Sequence, residues 1–534
     1  MIEVWSMETG KKLYFVEELA YSIADIVLSP DGQYLVTVGD NEYSILLREI
    51  ATGKTAFKIF FPGSSLGKGQ FVISTPDGYY RSSIEATPDL SFKRGFATYP
   101  FEQFDLRFNR PDIISERLGY DSTILSAAYK KAFEKRLSKL GFSAAALSNN
   151  LQTPELTLVS EKIPSITDTP KLTIQVQAKD KVFPLNSINV WINDVPIFGR
   201  KGLAISRLDS IHQLQKEIPL ILSEGNNKIQ VSCYNTQGIE SLKQTITIKY
   251  NPIKPTLPDL YLIGIGVSKY KDTNRNLNFP VKDIQDVFNS FEKQEHNYAN
   301  IHTRFLLDEQ VIKHNIEQLR QQLLSSKVGD KVLVYYAGHG IIDEQLDYYL
   351  AAFDTDFLQP APNSLPYDAL EDLLDRIPAR KKLILIDACH AGEIDKEYIA
   401  AIKKNNSKEG HIKFRAANNM QLTYTKLGIQ NSFELMKKLF VDLRRGTGTT
   451  VIASAGAVQP AVESSVWNNS AFAYVVLQAL HDNAADGVIN GRKDNQIMVS
   501  ELQQFLNYTV PILTNGLQQP TSRSQNISND FRIW

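Results

Sequence analysis

At 534 residues the chain exceeds what one hydrophobic core organises, and at about 100–200 residues per domain it should hold roughly three. Its 58 basic and 59 acidic side chains leave a net charge of -1, which gives no electrostatic footprint for nucleic acid or an anionic membrane. Two cysteines, Cys233 and Cys389, exclude a disulfide framework and point to a reduced compartment; with no signal peptide pattern and no apolar run of ~18 residues, the expected location is cytoplasmic.

Residues 1–103 read as all-β. "IEVWSMETGKK" and "YSILLREIATGKT" each run from an alternating apolar strand into a small-polar-Gly turn and a lysine. They lie about 41 residues apart, within the period of propeller blades. Between them, "ADIVLSPDGQYLVTVGD" places two strands around the Asp31-Gly32 turn, a hairpin signal. The segment resembles one blade of a WD-repeat propeller. A ring takes at least about four blades, so no closed ring is expected. Residues 104–155 switch to helical spacing in "RPDIISERLG" and "DSTILSAAYKKAFEKRLSKLG" and are expected to form a helical connector.

Short alternating strands return over 156–250, in "KLTIQVQAKD", "SINVWINDVPI", "NKIQVSCYN" and "KQTITIKY". This grammar predicts a small immunoglobulin-like β-sandwich, with Cys233 as a buried packing residue rather than a reactive thiol. The proline-rich stretch 251–258 reads as a linker. From 259 to 534 continuous apolar strands alternate with amphipathic helices, which predicts an α/β domain: a mainly parallel sheet flanked by helices.

Ligands of such sheets collect at the carboxyl ends of the strands. Two apolar runs, "KVLVYYAGHG" and "KKLILIDACHAG", lead there to His339 and Cys389. A thiol becomes a good nucleophile once a base takes its proton, and an imidazole on a neighbouring strand, ~4.8 Å away, can do this. Gly338 and Gly340 let a substrate chain come close. The backbone N–H groups of Gly340 and Cys389 are candidate oxyanion donors. His390 follows Cys389 directly and alternates to the opposite face, so it is expected to be structural.

These motifs resemble those of the caspase-like cysteine peptidases, most nearly metacaspases and their bacterial relatives, in which the histidine precedes the cysteine by about fifty residues. The resemblance also covers "LIGIGVSKYKD", "LNFPVKDIQD" and "TTVIASAG". It implies a large-subunit-like part at 259–392, a linker at 393–430 and a small-subunit-like part at 431–534. It further implies a cysteine endopeptidase of protein or peptide substrates, with a role in regulated proteolysis, defence or cell death. Asp387 stands where aspartate-cleaving caspases carry glutamine, and with Asp283 it implies a pocket for Arg or Lys at P1. Ala337 departs from the serine that many metacaspases have there. A basic-P1 enzyme could cut its own linker after Lys403, Lys404, Lys408, Arg415 or Lys426.

No cofactor motif is present. Some metacaspases need calcium, but the acidic run around Asp354 and Asp356 lacks their dense carboxylate pattern, so no metal site is assigned. The N-terminal β modules are expected to bind a regulatory protein, and neither nucleic acid nor membrane is an expected partner. Two competing readings remain. One is a catalytically silent caspase-fold scaffold, against which the intact His339 and Cys389 speak. The other is a peptidase with acidic or asparaginyl P1 preference, against whose acidic form Asp387 speaks.

Overall fold

The computed structural model describes residues 2–16, 23–39, 44–61, 70–83, 86, 90–119, 123–147, 151–160, 163–205, 210–343, 347–391, 412–414, 447–455, 461–489, 491–524 and 530–534. The chain divides into two compact units, Met1–Pro154 with Tyr234–Leu242, and Glu155–Cys233 with Lys243–Trp534. No helix among the described residues is long and apolar enough to cross a membrane.

In the first unit the β-rich pattern becomes one antiparallel meander of six strands: Ile23–Leu28, Tyr34–Gly39, Ser44–Glu49, Thr55–Phe60, Val72–Ser74 and Tyr80–Ser82. A propeller blade has four strands. This sheet continues past that number, each strand pairing antiparallel with the one before it. Helices Asp105–Phe108, Pro111–Leu118 and Thr123–Lys139 follow. Leu106, Phe133 and Leu137 of these helices, with Leu140 and Phe142 just after the last of them, gather around Tyr234, which the segment Tyr234–Leu242 supplies to this unit.

The second unit opens with two sheets packed face to face. One pairs Glu155–Leu158, Lys171–Lys179 and Gln213–Ile221; the other is built mainly on Leu185–Ile192, Gly225–Asn235 and Gln244–Tyr250. Alternation turns Ile174, Val176, Ile188, Val190, Ile229, Val231, Cys233 and Ile248 into a common core. Cys233 is a free, buried cysteine in that core, as its mid-strand position predicts.

The rest of the unit is the α/β part, with elements β1 (Leu260–Gly266), α1 (Pro280–Glu292), β2 (Ile301–Leu307), α2 (Lys313–Leu323), β3 (Lys331–Ile342), β4 (Tyr348–Leu350), β5 (Leu365–Pro366), α3 (Tyr367–Leu374), β6 (Lys381–Ala391), β7 (Ile412–Phe414), β8 (Thr450–Ala453), β9 (Val462–Ser464), β10 (Asn469–Ser470), α4 (Ala471–His481), α5 (Val499–Leu513) and β11 (Thr521–Ser524). The main sheet runs β2-β1-β3-β6-β8-β11. All neighbours are parallel except β11, which closes the edge antiparallel to β8. Short β4 adds to the far end of β3 and carries β5. On one face Leu262, Leu333, Tyr335, Leu383, Leu385 and Ile452 pack against α1, α4 and α5. Right-handed crossovers put α2 and α3 on the other face.

α1 sits unusually close to the sheet. A Cβ on Gly264 would lie 2.5 Å from Ile284 Cγ2 and 3.1 Å from Phe288 Cε2, so only glycine lets the helix seat at this height.

Candidate active site

The central strand pair outreaches its flanks. β1 stops pairing with β3 at Gly266–Ala337, and β8 stops pairing with β6 at Ala453–Ile386. β3 and β6 continue together, so that His339 lies directly across the ladder from Cys389 and Gly340 from His390. The sequence pattern predicts strand ends just before these residues, but both strands continue past them. The strands run on to Ile342 and Ala391 because each supplies the other's ladder hydrogen bonds, and β4 occupies the second edge of β3. The backbone of residues 389–391 is described and their side chains are not.

His339 is almost fully buried, at 3% exposure. Its Nε2 is 2.8 Å from the Arg275 carbonyl oxygen, which can only accept, so Nε2 carries the proton. That tautomer makes Nδ1 the basic nitrogen. The ring is bracketed by Tyr270, at 5.1 Å between centroids, and by the edge of Phe357, at 5.5 Å. The Arg275 guanidinium in turn lies 5.0 Å over the Phe357 ring.

Two residues before position 389, Asp387 is fully buried and sits across the ladder from Ala337. It accepts a hydrogen bond from the Ser470 hydroxyl. Asp283, in the first turn of α1 and also fully buried, accepts from the backbone N–H of Ser470 at 3.1 Å and from Asn469 Nδ2 at 3.0 Å. The two aspartates that the sequence singles out are thus bridged by one serine. Ser470 also caps α4, its oxygen accepting from the Ala473 N–H at 3.0 Å. A third buried acid, Glu463 on β9, accepts from Asn278 Nδ2 at 3.1 Å, in the loop that leads into α1.

Tyr270 falls within the resembling segment "LIGIGVSKYKD" without being singled out there, and Arg275, Phe357, Asn469 and Ser470 carry no motif that marks them beforehand. Ser470 alone has a detectable signal, as a serine immediately before the helical pattern "AFAYVVLQAL". Lys403, Lys404, Lys408, Arg415 and Lys426 lie outside the described residues. Among the described residues no group of three or more His, Cys, Asp or Glu side chains is placed to hold a metal ion. Asp356 instead caps its own turn, accepting from the Leu358 N–H at 2.9 Å.

Comparison with known proteins bears on the same region. A family model described as the caspase domain matches residues 262–532, just over half of the chain. No curated protein matches the chain significantly. Among solved structures, a structural-genomics protein from Geobacter sulfurreducens is similar at 17% identity, over 50% of this chain and 93% of its own, with a TM-score of 0.32. Fibronectin(III)-like modules of Clostridium thermocellum CbhA are similar at 17% identity, over 20% of this chain and 51% of theirs, with a TM-score of 0.15. From the extent of the domain match, this chain belongs to the caspase-domain family, a family of cysteine peptidases that act on protein substrates.

Proposed function

We propose that the protein is a cysteine endopeptidase that cleaves after Arg or Lys through His339 and Cys389. The observation that carries this reading is the ladder register, which sets position 389 directly across from a histidine whose tautomer leaves Nδ1 as the base. Nδ1 takes the Cys389 thiol proton as sulfur attacks the scissile carbonyl, and the backbone N–H groups of Gly340 and Cys389, which the β3–β6 ladder engages in this structure, donate to the developing oxyanion once that end of the ladder opens. The imidazolium then returns its proton to the leaving amine, and the thioester is hydrolysed by a water that Nδ1 deprotonates. Asp387 and Asp283 supply negative charge beside the nucleophile, which favours a cationic P1 side chain and repels an acidic one.

Other features belong to the same proposal. These are the kinship with metacaspases, the blade-like origin of residues 1–103, the domain layout given above, cytoplasmic location, a regulatory partner for the N-terminal modules and self-cleavage in the linker. The deciding experiment is hydrolysis of fluorogenic peptides that differ only at P1 (Arg, Lys, Asp, Asn, Leu), beside Cys389→Ala. Turnover of Arg and Lys peptides that disappears in the variant is expected. Cys389-dependent turnover confined to other peptides would reject the pocket while keeping the dyad, and turnover that survives Cys389→Ala would reject the dyad.

A further inference from the structure

Between the end of its pairing with β1 and the start of its pairing with β4, the outer edge of β3 has no strand neighbour. The last ladder bond there runs from the Val267 N–H to the Ala337 carbonyl at 3.0 Å. The next N–H on that edge belongs to His339, and it donates to the Tyr270 hydroxyl at 2.9 Å. The carbonyl of the same residue accepts from the Tyr336 hydroxyl at 2.9 Å and from the Ala351 N–H at 2.9 Å. Tyr336 Oη also lies 2.9 Å from the Ala351 carbonyl, and the two tyrosine hydroxyls are hydrogen-bonded to each other. Both rings are buried, Tyr270 at 2% and Tyr336 at 1% exposure.

Gly338 gives a second, independent sign of this arrangement. A Cβ at that position would lie 2.8 Å from Tyr336 Oη and 2.9 Å from Tyr270 Oη. The hydroxyls therefore close onto the backbone just ahead of the histidine, and the glycine makes room for them.

We infer that Tyr270 and Tyr336 are positioning residues for the peptidase reaction, holding the His339 peptide by both its N–H and its C=O so that the imidazole stays aligned between the Arg275 carbonyl and position 389. This rests on His339 acting as the base. A strand neighbour would fix only the ladder. Two phenol hydroxyls fix the ladder, and the Tyr270 ring also lies against the imidazole itself.

The test removes each hydroxyl singly, in Tyr270→Phe and Tyr336→Phe, with Gly338→Ala as a variant that pushes both hydroxyls away. All are assayed in the full chain on an Arg-P1 peptide. Loss of alignment is expected to lower kcat by on the order of ten-fold while KM stays within about two-fold. In parallel, imidazole ¹⁵N spectra in the Cys389→Ala background should show the Nε2–H tautomer of His339, giving way to a tautomer mixture in the tyrosine variants. Unchanged kcat and an unchanged tautomer would overturn the inference. So would matched changes in kcat and KM with a lowered thermal midpoint, which mark general packing damage. If the unmodified protein shows no Cys389-dependent turnover, the peptidase reading fails, and the ¹⁵N spectra still decide whether the hydroxyls hold the ring.

Discussion

Ser470 donates its hydroxyl to Asp387 while its own N–H donates to Asp283, tying β6 to the first turn of α1 from a position 83 residues downstream of Asp387. Ser470→Ala removes that hydroxyl and the α4 cap together. KM for Arg-P1 peptides should rise several-fold, and stability should fall by about 1 kcal/mol from the lost cap. Ser470→Thr, which keeps the hydroxyl, should restore most of both. Steady-state kinetics with thermal denaturation separates the two effects. An unaltered KM in the alanine variant would detach Ser470 from substrate selection.

Asp387→Asn and Asp283→Asn preserve shape and remove charge. Each should lower kcat/KM for Arg and Lys peptides by roughly a hundred-fold, and leave a neutral P1 within a few-fold, because only the cationic side chain loses its counter-charge. The P1 panel measures this directly, and equal losses on Leu and Arg peptides would count against a pocket role.

Lys331, the first residue of β3, and Lys382, the second of β6, are buried, at 6% and 2% exposure. Desolvation lowers each ammonium to about 7; the charge of Lys381 adds to the effect at Lys331, and that of Asp375 partly opposes it at Lys382. An unfolded lysine titrates near ~10.4. Between about 7 and ~10.4 the unfolded chain therefore binds more protons, so these groups add stability as pH rises through that window and withdraw it as pH falls toward 7. Thermal midpoints followed from about pH 7 to ~9.5 should climb, and Lys382→Met should flatten the climb. A variant with the same slope as the parent would refute the assignment.

Arg200 and Arg380 join the β-sandwich to the α/β part. Arg200 pairs with Asp372 on α3, and its N–H donates to Asp375 at 3.2 Å. Arg380 Nη1 donates to Ser223 Oγ at 2.9 Å, and its Nη2 donates to the Ile221 carbonyl. The Arg200→Ala, Arg380→Ala double variant should split calorimetric unfolding of this unit into two transitions, because it removes these polar ties across the seam. A single transition in the double variant would mean that apolar packing alone holds the two together.

The alternation of apolar strands and amphipathic helices made the α/β sheet legible, because each buried strand must be apolar on both faces. Asp387 and Asp283 were legible through motif resemblance, and His339 through its place after an apolar run. Other parts left no trace of that kind. Gln213–Ile221 begins with the polar run "QLQKE" and offers little periodic signal, yet it pairs along the whole of Lys171–Lys179. Pro511 lies inside α5, where a proline usually argues against a helix. Ala337 offers Asp387 no hydroxyl across the ladder, and the one that serves it comes from Ser470. Contacts of that range depend on tertiary folding, which spacing along the chain does not encode.

The close seating of α1 over Gly264 fixes the height of the helix turn that carries Asp283. Asp283 precedes Ile284, the residue that rests on that glycine. One added methyl would act as a shim, lifting the helix and drawing the carboxylate away from Ser470 without altering any group a substrate touches. If Asp283 selects the P1 side chain as proposed, substrate range would depend on an atom that is missing from the strand beneath the helix.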